Sequence, residues 1–286
     1  MLYHIENEQL FCAVDSLGAQ LHSLKGRAGK AEYLWQGNPA VWYGQAPVLF
    51  PIVGRLKDDR YQYRGKTYQM PKHGFARKSE FLPVLAERER IVFELKDSEK
   101  TRAIYPFAFT LRIEYKLSKN ALVATATVAN AGEDTMLFSI GAHPGFNCAM
   151  GDVLRFSQPE TLRSEWITEE SLLAGSSYPV LEDATDLVLH EQLFAKDALI
   201  LQGVRSAQLT LVRGGEDCVK FDLGAPPVLG VWAKPAAPYV CIEPWFGIND
   251  GEAATPDFSQ KRLINALAPG DTFTQRWCAE LPGEAG

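Results

Sequence analysis

Four short segments of this chain set one or two polar residues among glycine, proline and aromatic residues. They are Phe50-Pro51-Ile52-Val53-Gly54-Arg55, Pro71-Lys72-His73-Gly74-Phe75-Ala76-Arg77, Gly141-Ala142-His143-Pro144-Gly145-Phe146 and Cys241-Ile242-Glu243-Pro244-Trp245-Phe246-Gly247. Glycine admits close approach of backbone or ligand and proline fixes φ, so each segment holds a titratable or cationic side chain in place. For any one segment, a packed turn around a satisfied polar residue explains the pattern, since histidines in loops are common. Its recurrence four times favours a site. Together the segments offer two imidazoles, a carboxylate and two guanidinium forks, the groups for moving protons and for gripping hydroxyls or a phosphate.

Other chemistries have less support. No G-x-S-x-G elbow occurs and no cysteine has a recognisable histidine signature, so covalent catalysis is not expected. His73, His143 and Glu243 are the ligand types of a two-histidine, one-carboxylate metal site. They stand on distant segments with no H-E-x-x-H or other short paired spacing, and no metal is expected. Glu243 and Asp197 could supply the two carboxylates of a glycosidase, which leaves His73 and His143 without a task. The aromatic residues Phe75, Phe146, Trp245 and Phe246 suit the apolar face of a sugar under either reading. His4, His22 and His190 sit among ordinary strand or turn residues and receive no role.

The same segments, with Lys196-Asp197-Ala198-Leu199-Ile200, resemble the aldose 1-epimerase (galactose mutarotase-like) superfamily, and most nearly its short bacterial LacX-like branch. The likeness runs over nearly the whole chain, with the order Arg, His, His, Asp, Glu. It implies a β-supersandwich of antiparallel sheets with a sugar cleft on one concave face. By position within the matching motifs, Glu243 resembles the family's general base and His143 its general acid. Arg55, His73 and Asp197 resemble its sugar-hydroxyl ligands. Arg77 and Trp245 join them as candidate substrate contacts. The sequence departs from typical galactose mutarotases beside both catalytic positions: Pro144-Gly145-Phe146 follows His143 where a bulkier Tyr-Phe pair is usual, and Pro244-Trp245 follows Glu243 in place of Thr-Gln. The catalytic residue types stay while the cleft lining changes.

The implied reaction matches those residue types. Exchanging the anomers of a free sugar means removing a proton from the C1 hydroxyl while protonating the ring oxygen, so that the ring opens, rotates and recloses. A positioned acid or base contributes roughly 10² to 10⁴ in rate, and the reaction already proceeds in water, so no cofactor is expected. A carboxylate beside an imidazole is expected to favour the imidazolium, arming His143 as acid and Glu243 as base. Arg55 and Arg77 suit a hydroxyl or a phosphate equally, which keeps a hexose-6-phosphate mutarotase as one alternative. A non-catalytic sugar-binding or sensing protein is another. Lys57, Arg60, Lys72 and Lys78, near the first two motifs, are read as solvated charges at strand edges.

The elements that must hold these groups are strands. Phe109, Leu111, Ile113, Tyr115 and Leu117 alternate with polar residues, Ser118-Lys119-Asn120 supplies a turn, and Leu122 to Val128 alternates again, which predicts an antiparallel hairpin. Shorter strand-like runs recur at 61–70, 81–85, 90–95, 208–212, 219–223 and 272–277, and helical spacing appears only around 258–267. The fold class expected is all-β. At 286 residues, 46% of them hydrophobic, with no linker, repeat or low-complexity tract, the chain reads as one domain over 1–286. A net charge of −6 without a basic stripe excludes nucleic acid as a partner. The uncharged stretch 33–54 carries Pro39, Pro47 and Pro51 and is read as a buried loop, so no membrane association is expected. The N-terminus lacks a secretory pattern and the five scattered cysteines fit reduced thiols, which together predict a cytoplasmic protein whose partner is a small-molecule sugar. The sequence does not choose between monomer and homodimer.

Overall fold

Alternation of core-facing and wet side chains along the hairpin 109–130 is where the architecture is set. In the computed structural model, which describes residues 1–27 and 31–282, strands Phe109–Ser118 and Ala121–Asn130 pair in antiparallel register from Ser118↔Ala121 to Phe109↔Asn130. Leu111, Ile113, Tyr115 and Leu117 are buried, while Arg112 and Lys116 face solvent. These strands belong to a 15-stranded antiparallel sheet whose path ends at Val48–Leu49 on one side and Leu82–Ala86 on the other. Open sheets rarely exceed about ten strands without curling or splitting, and this one folds over itself. A narrow cleft has Ile113, Tyr115, Ala124, Gln275 and Trp277 on one wall and Val48, Gly141 and Ala142 on the other. Gln275 Nε2 crosses it to donate to the Pro244 carbonyl at 3.0 Å. The result is an all-β supersandwich with a large apolar core between its stacked faces and a second, smaller buried cluster that includes Val53, Ile200, Val228 and Trp245.

A three-stranded sheet of Leu2–Glu6, Leu10–Asp15 and Gln20–Gly26 packs beside the large one, joined to it by the Tyr115 hydroxyl donating to the Ala19 carbonyl at 2.9 Å. Two strand pairs, Arg60–Tyr63 with Lys66–Gln69 and Met136–Phe138 with Asn265–Leu267, complete the sheets. Among the described residues the α-helix is a single turn, Glu99–Arg102, capped by Ser98 and Thr101, and no helix is long and apolar enough to cross a membrane. The strand-like runs of the sequence correspond to strands, but the helical spacing at 258–267 does not yield a helix. Asp257 caps one 3₁₀ turn, Phe258–Gln260, Leu263 takes a positive φ of 55°, and Asn265–Leu267 leaves as a strand. The stretch 33–54 is irregular apart from the strand Val48–Leu49, and is buried at Leu34, Trp35 and from Gly44 onward. Gln36, Asn38, Pro39, Ala40 and Tyr43 are exposed, which corrects the expectation of a wholly buried segment.

Candidate active site

Strand Tyr239–Phe246 carries the central carboxylate. Glu243 pairs with Gly230 on the neighbouring strand Val228–Trp232, is fully buried, and shares its face of the strand with Cys241 and Trp245. Opposite it, His143 sits in the two-residue link between Ile140–Ala142 and Gly145–Asn147, strands that both pair with Tyr239–Phe246. This places His143 Nε2 at 3.2 Å from Glu243 Oε2, and Trp245 Nε1 donates to the same oxygen at 3.2 Å. Gly141 leaves room for that indole: a Cβ there would lie 2.8 Å from Trp245 Cδ1. Glu243 Oε1 and His143 Nδ1 are buried with no partner in the protein.

His143 and Glu243 form the floor of a cavity of about 550 Å³, with His73, Asp197, Arg77 and Trp245 on its walls. The His143 side chain, 11% exposed, is the edge of the pair that meets the cavity. His73 adopts φ 65° and is buried. Its Nδ1 accepts from the Gly54 N–H at 3.1 Å, which leaves Nε2 as the protonated nitrogen of a neutral ring. Burial, and then the charges of His143, Lys72 and Arg77, push the His73 pKa well below the ordinary histidine value, so it serves as a neutral donor. Asp197 takes φ 72° and its Oδ1 accepts from the Ala198 N–H at 2.9 Å. Arg77 Nη2 donates to the Lys72 carbonyl at 2.7 Å while its Nε is buried and unpartnered.

Arg55 stands apart from this group. Its fork is committed to Asp59, with Nε–Oδ1 at 2.8 Å and Nη2–Oδ2 at 2.6 Å, and Nη1 donates to the Glu170 carbonyl at 3.1 Å. It does not line the cavity. Lys72 and Lys78 do, and Lys72 Nζ donates to Ser171 Oγ at 3.1 Å, so the reading of Lys72 as a solvated strand-edge charge gives way to one as a cavity-wall cation, while Lys78 is exposed as well as lining the cavity. Three further groups lie outside the sequence expectations. Trp42 lies over His143, with ring centroids 5.1 Å apart and planes at 31°, and Trp232 meets the same imidazole edge-on at 5.7 Å. His22 reaches the cavity wall, with Nε2 3.2 Å from Gln20 Nε2 and 3.9 Å from Asp15 Oδ2. Trp232 had a readable signal in its register, since it pairs with Cys241 two residues from the Gly230↔Glu243 pair and so shares the catalytic face. Trp42 and His22 had none, because their neighbours in sequence show neither framing nor alternation.

The electrostatics of the pair differ from the expected imidazolium. Burial drives the Glu243 carboxyl well above the usual carboxylate range, aided by Asp197 and opposed by the Trp245 hydrogen bond. Burial also pulls the His143 imidazole down to about 3. Burial thus favours the arrangement with the proton on the carboxyl and a neutral imidazole over the separated ion pair. Desolvation penalises separated charges more than their contact at 3.2 Å repays.

Comparison with known proteins agrees with this architecture. The family profile described as aldose 1-epimerase matches residues 1–206. The plasmid-borne protein LacX of Lactococcus lactis subsp. lactis is 32% identical, over 95% of this chain and 96% of its own length. The crystal structure of a galactose mutarotase related enzyme from Lactobacillus acidophilus superposes with a TM-score of 0.94 at 35% identity, covering 99% of this chain and 98% of the other. A galactose mutarotase-like protein from Lactobacillus casei gives 0.92 at 29% identity, covering 99% and 100%.

Proposed function

The chain belongs to the aldose 1-epimerase family, and from that premise we propose that it is a mutarotase, interconverting the α and β anomers of a hexose with Glu243 and His143 as its proton-transfer pair. The observation that carries the reading is the 3.2 Å contact between His143 Nε2 and Glu243 Oε2 on a cavity floor. Ring opening takes a proton from O1 and gives one to the ring oxygen, atoms bonded to the same carbon. A carboxylate and an imidazole in mutual contact, with one proton between them, are placed to do both.

Opening with Glu243 as base starts from the state with the proton on His143. Glu243 takes the O1 proton, His143 gives its proton to the ring oxygen, and the bond from C1 to the ring oxygen breaks to leave the aldehyde. The pair then consists of a protonated carboxyl and a neutral imidazole, the state that burial favours. Opening thus removes a charge separation from a desolvated site, which lowers the energy of the opened state. After C1 rotates, the neutral imidazole takes the hydroxyl proton back and Glu243 returns one to O1 on the other face. In the starting state the Glu243 carboxylate and the face of Trp42 stabilise the imidazolium against burial.

His73, as a fixed Nε2–H donor, Asp197, as an acceptor, and Trp245, as an apolar face, are the proposed sugar contacts, with Arg77; Arg55, outside the cavity with its fork on Asp59, is not among them. A phosphorylated hexose is the second reading. It is favoured by Lys72, Arg77 and Lys78 together in the cavity wall and by the unpartnered Arg77 Nε. Polarimetry on freshly dissolved α-glucose and α-galactose, with exchange NMR on glucose 6-phosphate, tests both. Acceleration of the free sugars supports the first reading. Acceleration confined to the phosphate ester, with inhibition by free phosphate, supports the second, and no acceleration of any sugar leaves a sugar-binding protein.

A further inference from the structure

Cys241 has no task in proton transfer, yet it lies on the same strand face as Glu243, one residue pair away. Its Sγ, a nitrogen of His143 and a carboxylate oxygen of Glu243 all fall within 4.8 Å of one another, and this is the one such grouping of histidine, cysteine and acidic residues among the described residues. We propose that these three side chains form a binding site for a thiophilic divalent cation of the zinc class, and that occupation of the site switches the proton-transfer pair off. The inhibition rests on the mutarotase reading; the binding does not.

Three observations support it. Ligand atoms around tetrahedral zinc lie about 3.4 to 3.6 Å apart at the metal's usual bond lengths to sulfur, nitrogen and oxygen. Nε2 and Oε2 are already at 3.2 Å, so small side-chain shifts close the set. Glu243 Oε1, on a side chain with no solvent exposure, and His143 Nδ1 are both buried without a partner. A carboxylate that turns to a metal has a second oxygen free to follow, and the imidazole loses no hydrogen bond at Nδ1 by rotating. Charge provides the third. A thiolate, a carboxylate and a neutral imidazole sum to −2, so a divalent cation makes a neutral complex, the kind a desolvated site tolerates.

Cys241 itself is fully buried and is not a cavity-wall residue, so the sulfur meets the cation from beneath while the cavity supplies the fourth position. As the cation enters, the thiol and the protonated carboxyl each release a proton to solvent, and the neutral imidazole donates its lone pair. Both groups that the reaction uses are then held by metal, with neither a base for O1 nor a proton for the ring oxygen. Magnesium and calcium prefer oxygen-only sites, which excludes them here.

Cobalt(II) as a spectroscopic stand-in, followed by zinc competition, tests the site on the whole protein. One equivalent of cobalt is expected to give a thiolate-to-metal charge-transfer band in the near ultraviolet, which one equivalent of zinc removes. Zinc is expected to suppress mutarotation at the concentration that fills the site, and Cys241→Ser to lose the band and weaken zinc binding at least tenfold. Absence of a thiolate band in the unmodified protein overturns the proposal without recourse to any variant, as does equal zinc affinity in Cys241→Ser. A chain that shows the band but turns over no sugar keeps the metal site and loses the mutarotase reading; turnover without the band does the reverse.

Discussion

Glu243 and His143 are in contact and both withdrawn from solvent, and their pH behaviour follows from that burial. With His143 held at about 3 and Glu243 well above its ordinary value, the pair keeps one proton over a wide range. It gains a second only in strong acid, when no base is left, and loses its last as pH rises through the elevated Glu243 value, when no acid is left. The kcat/KM profile is therefore expected to be flat through pH 6.5, with its acid limb far below an ordinary histidine and its alkaline limb set by the carboxyl. A limb centred near 6.5 would show that His143 titrates as a free imidazole. Glu243→Gln keeps the side-chain shape but cannot accept the O1 proton. It is expected to lower turnover by about 10² to 10⁴ with sugar affinity changed only a few-fold, read by polarimetry and calorimetric titration. Trp42 lies over the imidazole without exchanging protons. Because a cation–π contact is worth about 0.5 to 2 kcal/mol, Trp42→Ala is expected to lower kcat by roughly two- to thirtyfold, and Trp42→Phe to recover much of it. An unchanged kcat with a raised KM would make Trp42 a sugar platform instead.

The elements around this pair were legible where one face is wet and illegible where both are dry. Phe109–Ser118 alternates because its outer face meets water. Tyr239–Phe246, which carries Glu243, is buried along nearly its whole length and shows only an apolar run broken by Pro244. The long strands Val153–Ile167 and Leu173–Val188 were hidden for another reason: Pro159 and several register shifts interrupt their pattern, and tertiary pairing overrides the local signal. The loop motifs were easier, since the glycines that stiffen them are required by contacts. Gly74 has φ 70°, and a Cβ there would lie 2.2 Å from the Phe50 carbonyl oxygen, in the turn that presents His73. Gly74→Ala therefore combines an unfavourable φ with a backbone clash and is expected to destabilise the protein by at least about 1 to 3 kcal/mol, measured by urea unfolding. A neutral effect would mean that the Phe50 and His73 segments move apart freely, and that the site is less rigid than the contact implies.

At the scale of the whole molecule, composition and strand count pointed to stacked sheets, but how the layers meet depends on contacts between residues far apart in sequence. Gln275 is one: nothing near it in the chain marks it, yet its amide links the strand Thr272–Glu280 to the Pro244 carbonyl, next to Glu243. Trp42 and His22 reached the site in the same way, through packing that a linear pattern does not record. The strands that hold Glu243 and those of the hairpin 109–130 lie on one hydrogen-bonded path and contribute to one buried core. No segment of that path can leave without exposing apolar surface of its neighbours, so the reading of the chain as one domain has a thermodynamic consequence. Calorimetry is expected to give a single unfolding transition with the van't Hoff enthalpy equal to the calorimetric one, and tryptophan fluorescence and far-ultraviolet dichroism are expected to follow the same curve. Two separable transitions would divide the chain into units of independent stability. The site, built from strands on both sides of such a division, would then lose its geometry before the protein lost its sheets.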